Sequence, residues 1–194
     1  MVSKSTANKA QALYKVAAEL FSKKGYHLTS IRDIAEALDV KAGSLYYYIT
    51  AKDDLLFDIV DKALDRLIAP VQGIMASNLS PTEKLRQAIA SHVVLACSLS
   101  NETNIIIREI GNLPLERAAV IRDKRRSYER MFQSILRAGV ESGELTSDDI
   151  NITSYCILGM CNWVSQWYRD SGRLSPQEIA HLIVNTVVNG LASR

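Results

Sequence analysis

Apolar residues in this chain recur at the three- and four-residue steps of an α-helix, and nowhere do they alternate in the bounded two-residue rhythm of a strand. Leu13, Val16, Ala17, Leu20 and Phe21 fall at i, i+3, i+4, i+7 and i+8, a single stripe that stops at Gly25. Start and stop signals repeat from there onward. Ser30 precedes Asp33 by three positions, the spacing of a capping box, and predicts a short helix over 31–38. Asp39 and Val40 make a tight turn, and 42–48 reads as a second short helix. Thr50-Ala51-Lys52-Asp53 repeats the capping signal ahead of a longer helix through Leu55, Leu56, Ile59, Val60 and Leu64, which Pro70 and Gly73 bend or end. Ser80-Pro81-Thr82-Glu83 opens a helix to residue 100, a shorter one covers 105–110 up to Gly111, and a long one runs over 114–142 to Gly143. The last two helices span 148–170 and, after the box of Ser175 and Glu178, 177–188. The expectation is an all-α chain of nine helices without a sheet.

At 194 residues and 47 % hydrophobic, the chain can bury a substantial core. Its opening, MVSKSTANKAQ, is polar throughout, so a cytoplasmic protein is expected. Residues 150–168 carry no charge, but Asn151, Thr153, Ser154, Asn162, Ser165 and Gln166 suit a helix buried by protein on all sides better than one facing lipid. Cys97, Cys156 and Cys161 form no CxxC pair and have no histidine at metal-ligand spacing, so reduced, buried thiols and no metal site are expected. His27, His92 and His181 stand apart from any nucleophile, and the chain has no glycine-rich phosphate loop, HExxH motif or paired carboxylates on facing helices. These absences point away from an enzyme, and no cofactor is expected.

The net charge of +2 is unevenly spread. Residues 1–52 hold eight basic and four acidic side chains, +4, and residues 53–194 hold 15 and 17, −2. A polyanionic partner therefore belongs to the N-terminal quarter, where Lys4 and Lys9 also stand in a polar arm. Two short helices joined by a tight turn, between two amphipathic helices, are the layout of a helix-turn-helix reader of duplex DNA. Gly43 lets the backbone approach DNA closely, Leu45 can anchor the second short helix, and Tyr46, Tyr47 and Tyr48 cannot all be buried on one helical face.

The run AAELFSKKGYHLTSIRDIAEALDVKAGSLYYYITAKDDLLFDIV, residues 17–60, closely resembles the DNA-binding head of the TetR family of regulators. The resemblance rests on Leu20-Phe21, Gly25-Tyr26, Thr29-Ser30, Ile34-Ala35, Val40, Gly43, Leu45-Tyr46, Lys52 and Leu55 at fixed spacing. It implies that Ser30 and Arg32 meet DNA from the first short helix, with Arg32 a base reader. It assigns Lys41, Ser44, Tyr46 and Tyr47 to the second short helix, and a phosphate contact to Lys52 at the start of the next. Asp39 stands where the family has Gly in the turn, which Asp tolerates because it enters the left-handed region readily. Tyr48-Ile49 replaces the family's common His-Phe.

The resemblance also implies a DNA-binding domain over 1–53 and an effector-binding and dimerisation domain over 54–194. A homodimer through the last two helices would bury 150–168 with Leu182, Ile183, Val187 and Val188, and would bind a palindromic operator. A second resemblance, to regulators that sense acyl-coenzyme A thioesters, lies in Arg108-Glu109-Ile110-Gly111-Asn112-Leu113-Pro114, Tyr128, Phe132, Gly139, Gly143, Asn162-Trp163, Trp167-Tyr168 and Leu174-Ser175-Pro176. It implies a small-molecule effector that releases a repressor from catabolic genes. Ile105, Met131, Ile135, Met160 and Trp163 would line the acyl site with Arg108, Asn112, Tyr128 and Trp167, and Arg122 and Arg126 would meet the nucleotide end. Two alternatives stay open: another lipophilic effector, or a DNA-binding protein with none.

Overall fold

A computed structural model describes the backbone of residues 4–191 and the side chains of residues 9–191. Nine α-helices account for most of them: α1 (Lys4–Lys24), α2 (Ile31–Ala37), α3 (Ala42–Leu45), α4 (Lys52–Met75), α5 (Pro81–Ser98), α6 (Ser100–Arg108), α7 (Leu115–Glu141), α8 (Ile150–Trp167) and α9 (Pro176–Leu191). A 3-10 turn, Ile110–Asn112, precedes α7, and no strand occurs among the described residues. The all-α expectation and the number of helices hold.

Two compact units are formed, Met1–Ala63 with Asn101–Ile121, and Leu64–Ser100 with Arg122–Arg194. Residues 54–63 and 101–121 thus pack with the segment that the motif delimits at residue 53. In the first unit the apolar stripe of α1 buries Leu13, Ala17 and Phe21 in one core with Ile34, Leu45, Leu55 and Leu56. In the second unit α5 packs against α8 and α9, around Leu85, Ile89, Val93, Phe132, Leu136, Ile157 and Val184.

The local signals act largely as read. Ser30 and Asp33 make the full reciprocal box at the start of α2, and Ser175 and Glu178 do the same before α9. At α5 the box is one-sided: the Ser80 hydroxyl accepts from the Glu83 N–H, while Glu144 takes the Thr82 N–H at 3.1 Å. At α4 the capping carboxylate is that of Asp54, not Asp53, and it accepts from the N–H groups of Thr50 (3.2 Å) and Ala51 (2.7 Å).

Several boundaries differ from expectation. Helix α3 ends at Leu45, and Tyr46–Tyr48 continue as turns, with the Tyr48 N–H on the Leu45 carbonyl at 2.9 Å. Pro70 does not end α4, which runs on to Met75, because Pro70 is exposed and water can satisfy the carbonyl of Arg66 that its ring leaves unpaired. Helix α6 starts at Ser100 and stops at Arg108, ahead of the span predicted for it. Helix α8 is not covered on all sides within the chain: Ile152, Tyr155, Met160, Trp163 and Trp167 form an outward stripe, each 40–64 % exposed. Cys156 lies exposed as well, unlike buried Cys97 and Cys161. Val187 and Val188 of α9 are already buried in the chain's own core, whereas Leu182 is 53 % exposed. No helix among the described residues is long and apolar enough to cross a membrane, and no cluster of His, Cys, Asp or Glu there could hold a metal.

Candidate functional site

The site begins where α1 stops. Gly25, with φ of +90°, takes the left-handed conformation that lets the chain leave α1, and its N–H bonds the Phe21 carbonyl at 3.0 Å. Tyr26 then turns back, its ring 5.2 Å from that of Phe21 in an edge contact. The buried Thr29 hydroxyl donates to the Gly25 carbonyl at 2.9 Å, closing the loop, and Ser30 caps α2. The Ser30 backbone and hydroxyl hold the Asp33 carboxyl at a pKa of about 2.

Between α2 and α3 the Val40 N–H returns to the Ala35 carbonyl at 3.0 Å, and Asp39 sits at φ 54°, the left-handed conformation expected of it. Leu45 and Ile49 are buried and fix the second short segment to the core of the unit. What remains outside is a polar and aromatic surface: Arg32 on α2, Lys41 at the N-cap of α3, and Tyr46 and Tyr47 beyond it, the last 90 % exposed. Tyr48 is half-buried. An exposed guanidinium, an ammonium and two phenols on adjacent short elements are donors suited to phosphates and base edges. Lys9 is exposed on α1, and the side chain of Lys4 lies outside the described residues.

Three of the residues assigned to DNA also have bonds within the chain. The Ser30 hydroxyl belongs to the capping box, and the Ser44 hydroxyl donates to the Lys41 carbonyl at 2.7 Å, leaving its lone pairs free to accept. Lys52 donates to the carbonyls of Tyr26 (2.8 Å) and Thr29 (2.9 Å) and stands 4.1 Å from the Tyr26 ring centre. Leu28, 79 % exposed between His27 and Thr29, adds an exposed apolar side chain that sequence reasoning did not single out.

Two groups on the 109–117 segment reach the same head. His27 Nε2 donates to Asn112 Oδ1 at 2.6 Å, and Asn112 donates in turn to Glu109 at 2.5 Å. Arg117, in the first turn of α7, bonds Asp53 at 3.2 Å and Asp54 more closely, with its guanidinium 5.5 Å from the Phe57 ring centre. Arg117 was not anticipated, since its partners lie 63 and 64 positions away.

The residues assigned to an effector fall into separate groups. Ile105, fully buried, exposed Arg108, and Asn112 belong to the first unit. In the second unit Tyr128 and Ile135 are buried and Met131 half-buried on α7, Arg122 and Arg126 are exposed on α7, and Met160, Trp163 and Trp167 lie on the outward stripe of α8. Tyr128 is part of a polar cluster in an apolar setting. Its hydroxyl lies 3.0 Å from His92 Nδ1, and His92 Nε2 lies 3.1 Å from Asn162 Oδ1. With Asn162 presenting its carbonyl oxygen, Nε2 carries the proton and Nδ1 accepts from Tyr128. Burial keeps His92 neutral, its pKa pushed down to about 4, and pushes the neighbouring Cys161 thiol up to about 12. Phe132 closes the cluster, with ring centres 5.4 Å from Tyr128 and 6.4 Å from His92.

Comparison with known proteins agrees with this architecture. Residues 13–59 match bacterial regulatory proteins of the tetR family, and residues 78–191, more than half of the chain, match the tetracyclin repressor-like C-terminal domain. The chain is 27 % identical over 188 residues to the HTH-type transcriptional repressor KstR2 of Mycobacterium tuberculosis, covering 92 % of this chain and 90 % of that one. The structure of that ketosteroid transcriptional regulator superposes with a TM-score of 0.91 over 96 % of each chain, at 24 % identity. The fatty acid metabolism regulator protein of Bacillus subtilis is 22 % identical over 188 residues, covering 96 % of this chain and 97 % of its own. AibR, solved in complex with isovaleryl coenzyme A and operator DNA, gives a TM-score of 0.81 at 28 % identity, over 91 % of this chain and 96 % of that one. With both segments matched and the helix-turn-helix surface in place, the chain belongs to the TetR family of DNA-binding transcriptional regulators.

Proposed function

We propose that the protein is a repressor that binds a palindromic operator as a homodimer and is released by an acyl-coenzyme A thioester. The observation that carries the operator half is the exposed set of Arg32, Lys41, Tyr46 and Tyr47 on two short helices anchored by Leu45 and Ile49. Dimerisation is supported by the outward stripe of α8: Ile152, Tyr155, Met160, Trp163 and Trp167, with Leu182 of α9, are many large apolar groups to leave in water. A two-fold axis beside α8 and α9 pairs this stripe with its copy. The two reading segments then lie about 34 Å apart, or a multiple of it, to meet successive major-groove faces. Trp163→Glu is expected to convert the dimer to a monomer in analytical ultracentrifugation, and a dimer that persists counts against this face.

The thioester half is supported by the relatives: AibR is described with isovaleryl coenzyme A, and the Bacillus subtilis relative by its role in fatty acid metabolism. Within the chain, the Asn162 side-chain amide of the neutral His92–Tyr128–Asn162 cluster can donate to a carbonyl placed among apolar side chains, and Arg122 and Arg126 suit phosphates. Release also needs a link to the reading segments, and the first unit supplies one through Asn112 on His27 and Arg117 on Asp53 and Asp54. Thermal unfolding with a panel of acyl-coenzyme A thioesters tests the reading. A ligand at 100 times its dissociation constant adds about 2.7 kcal/mol, and the same ligand should release operator DNA. No shift at any chain length removes the thioester and leaves the DNA-binding assignment intact. A shift with free acids alone replaces it with another lipophilic effector.

A further inference from the structure

The resemblance at residue 52 implies an ammonium that pairs with a DNA phosphate. The geometry points elsewhere, and we propose that Lys52 is a positioning residue, which sets α2 from the start of α4 by holding the loop between α1 and α2, and adds no counter-charge to the DNA interface.

Both carbonyls that Lys52 meets belong to a loop that cannot satisfy them by helix bonding. Tyr26 O accepts from Lys52 at 2.8 Å and from the Thr29 N–H at 3.3 Å, and Thr29 O accepts from Lys52 at 2.9 Å. An ammonium has three protons, and two of them are directed to these oxygens. The face of the Tyr26 ring, 4.1 Å away, takes part of the charge. Lys52 is half-buried, whereas Lys41 at the N-cap of α3 is exposed. Moving the Lys52 ammonium out to a phosphate would leave the Tyr26 carbonyl with the Thr29 N–H alone, take from the Thr29 carbonyl the donor described for it, and move the charge off the ring.

Thr29 is followed directly by Ser30, the N-cap of α2, so fixing the Thr29 carbonyl fixes the residue whose side chain starts that helix. The Thr29 hydroxyl secures the same loop at Gly25, and Asn112 takes His27. Two separate elements, the start of α4 and the segment that carries Asn112, therefore converge on residues 25–30, and Lys52 is the one that reaches two backbone carbonyls of the loop. Arg32 and the segment after it take their orientation from that loop.

Salt dependence separates the two roles. A lysine that neutralises a phosphate contributes about 0.9 to the slope of log K against log salt, and a positioning lysine contributes nothing to it. Binding of full-length protein to a duplex enriched from random sequence by the wild type is measured by fluorescence anisotropy between 50 and 200 mM salt, for wild type, Lys52→Met, Lys52→Gln and Lys41→Met. Wild-type binding with a steep slope establishes the DNA-binding assignment independently of Lys52. Lys52→Met is expected to weaken binding tenfold or more at every salt concentration, with the wild-type slope retained. Lys52→Gln, which restores N–H donors without the charge, should fall between the two, again with the wild-type slope. Lys41→Met marks the slope change of a lost exposed charge. A slope shallower by about 1 for each Lys52 removed overturns the proposal, as does unchanged affinity in both variants. If melting curves show that the Met variant does not fold, the slope of the Gln variant decides.

Discussion

Replacing His92 by Gln removes the one buried imidazole and should flatten the stability of the protein between pH 7 and pH 4.5. His92 is 2 % exposed, and burial pushes its pKa down to about 4. In the unfolded chain the same ring titrates near the ordinary value of about 6.5. Between these values the unfolded state binds the extra proton and the native state does not, so stability is complete above pH 6.5 and is lost as pH falls toward 4. At pH 4.5 the loss from this one group is about 2 to 3 kcal/mol, a large share of the roughly 5–15 kcal/mol that holds a domain folded. Acidic groups complicate the raw curve, because Asp33, Asp54, Glu144 and Glu178 all have carboxyl pKa values lowered by hydrogen bonds. Their contributions decline as pH falls through the carboxylate range in both proteins alike. Urea unfolding of wild type and His92→Gln, at matched protein concentration across the pH series, isolates the histidine as the difference between the curves. The difference should shift in favour of the Gln variant by about 2 to 3 kcal/mol on going from pH 7 to pH 4.5. Parallel curves would show that His92 is not held neutral, and the cluster with Tyr128 and Asn162 would need another account.

Tyr47→Ala and Arg32→Ala should each weaken operator binding in a gel-shift titration while leaving the melting temperature unchanged, since both side chains are exposed. Gly139→Ala would set a methyl 2.5 Å from Cδ1 and 2.8 Å from Cγ of buried Leu145, so calorimetry should show a loss of about 1–3 kcal/mol. Arg117→Gln should lower stability by no more than about 1 kcal/mol, because its ion pairs are a third exposed and screened by solvent. It should nevertheless lower operator affinity several-fold in the same gel-shift assay, by freeing the start of α4; unchanged affinity would remove Arg117 from the link to DNA.

How far the sequence could be read depended on the distance between the partners. Ser30 and Asp33, or Ser175 and Glu178, meet three residues apart, so their type and spacing suffice. Asp39 reveals its left-handed backbone for the same reason, as a residue tolerant of that region in a two-residue turn. The exposed face of the second short helix is legible because exposure on a four-residue helix follows from which neighbour, here Leu45, must be buried. Lys52 shows the limit: its motif position suggests a phosphate, but the carbonyls it meets lie 23 and 26 residues back. Asn162 and Trp163 show another, since adjacent residues on one helix point to His92 on one side and to solvent on the other. Pocket and interface candidates on α8 therefore cannot be separated by residue type alone. The capping role passes from Asp53 to Asp54 because two adjacent carboxylates offer the same local signal, and both also face Arg117.

The first unit is interrupted in the chain: residues 101–121 complete what residues 1–63 begin, with 64–100 made in between. During synthesis the helix-turn-helix head therefore leaves the ribosome before two of its supports, Asn112 and Arg117, exist. His27 waits for Asn112, 85 positions on, and Asp53 and Asp54 wait for Arg117. At about 5–20 residues per second this is a gap of roughly 3 to 17 seconds. A chain that stops before Asn101 carries the helix-turn-helix motif and Lys52 but lacks Asn112 and Arg117. The bonds of His27, Asp53 and Asp54 to the 109–117 segment can therefore form only after the helices over 64–100 have been made.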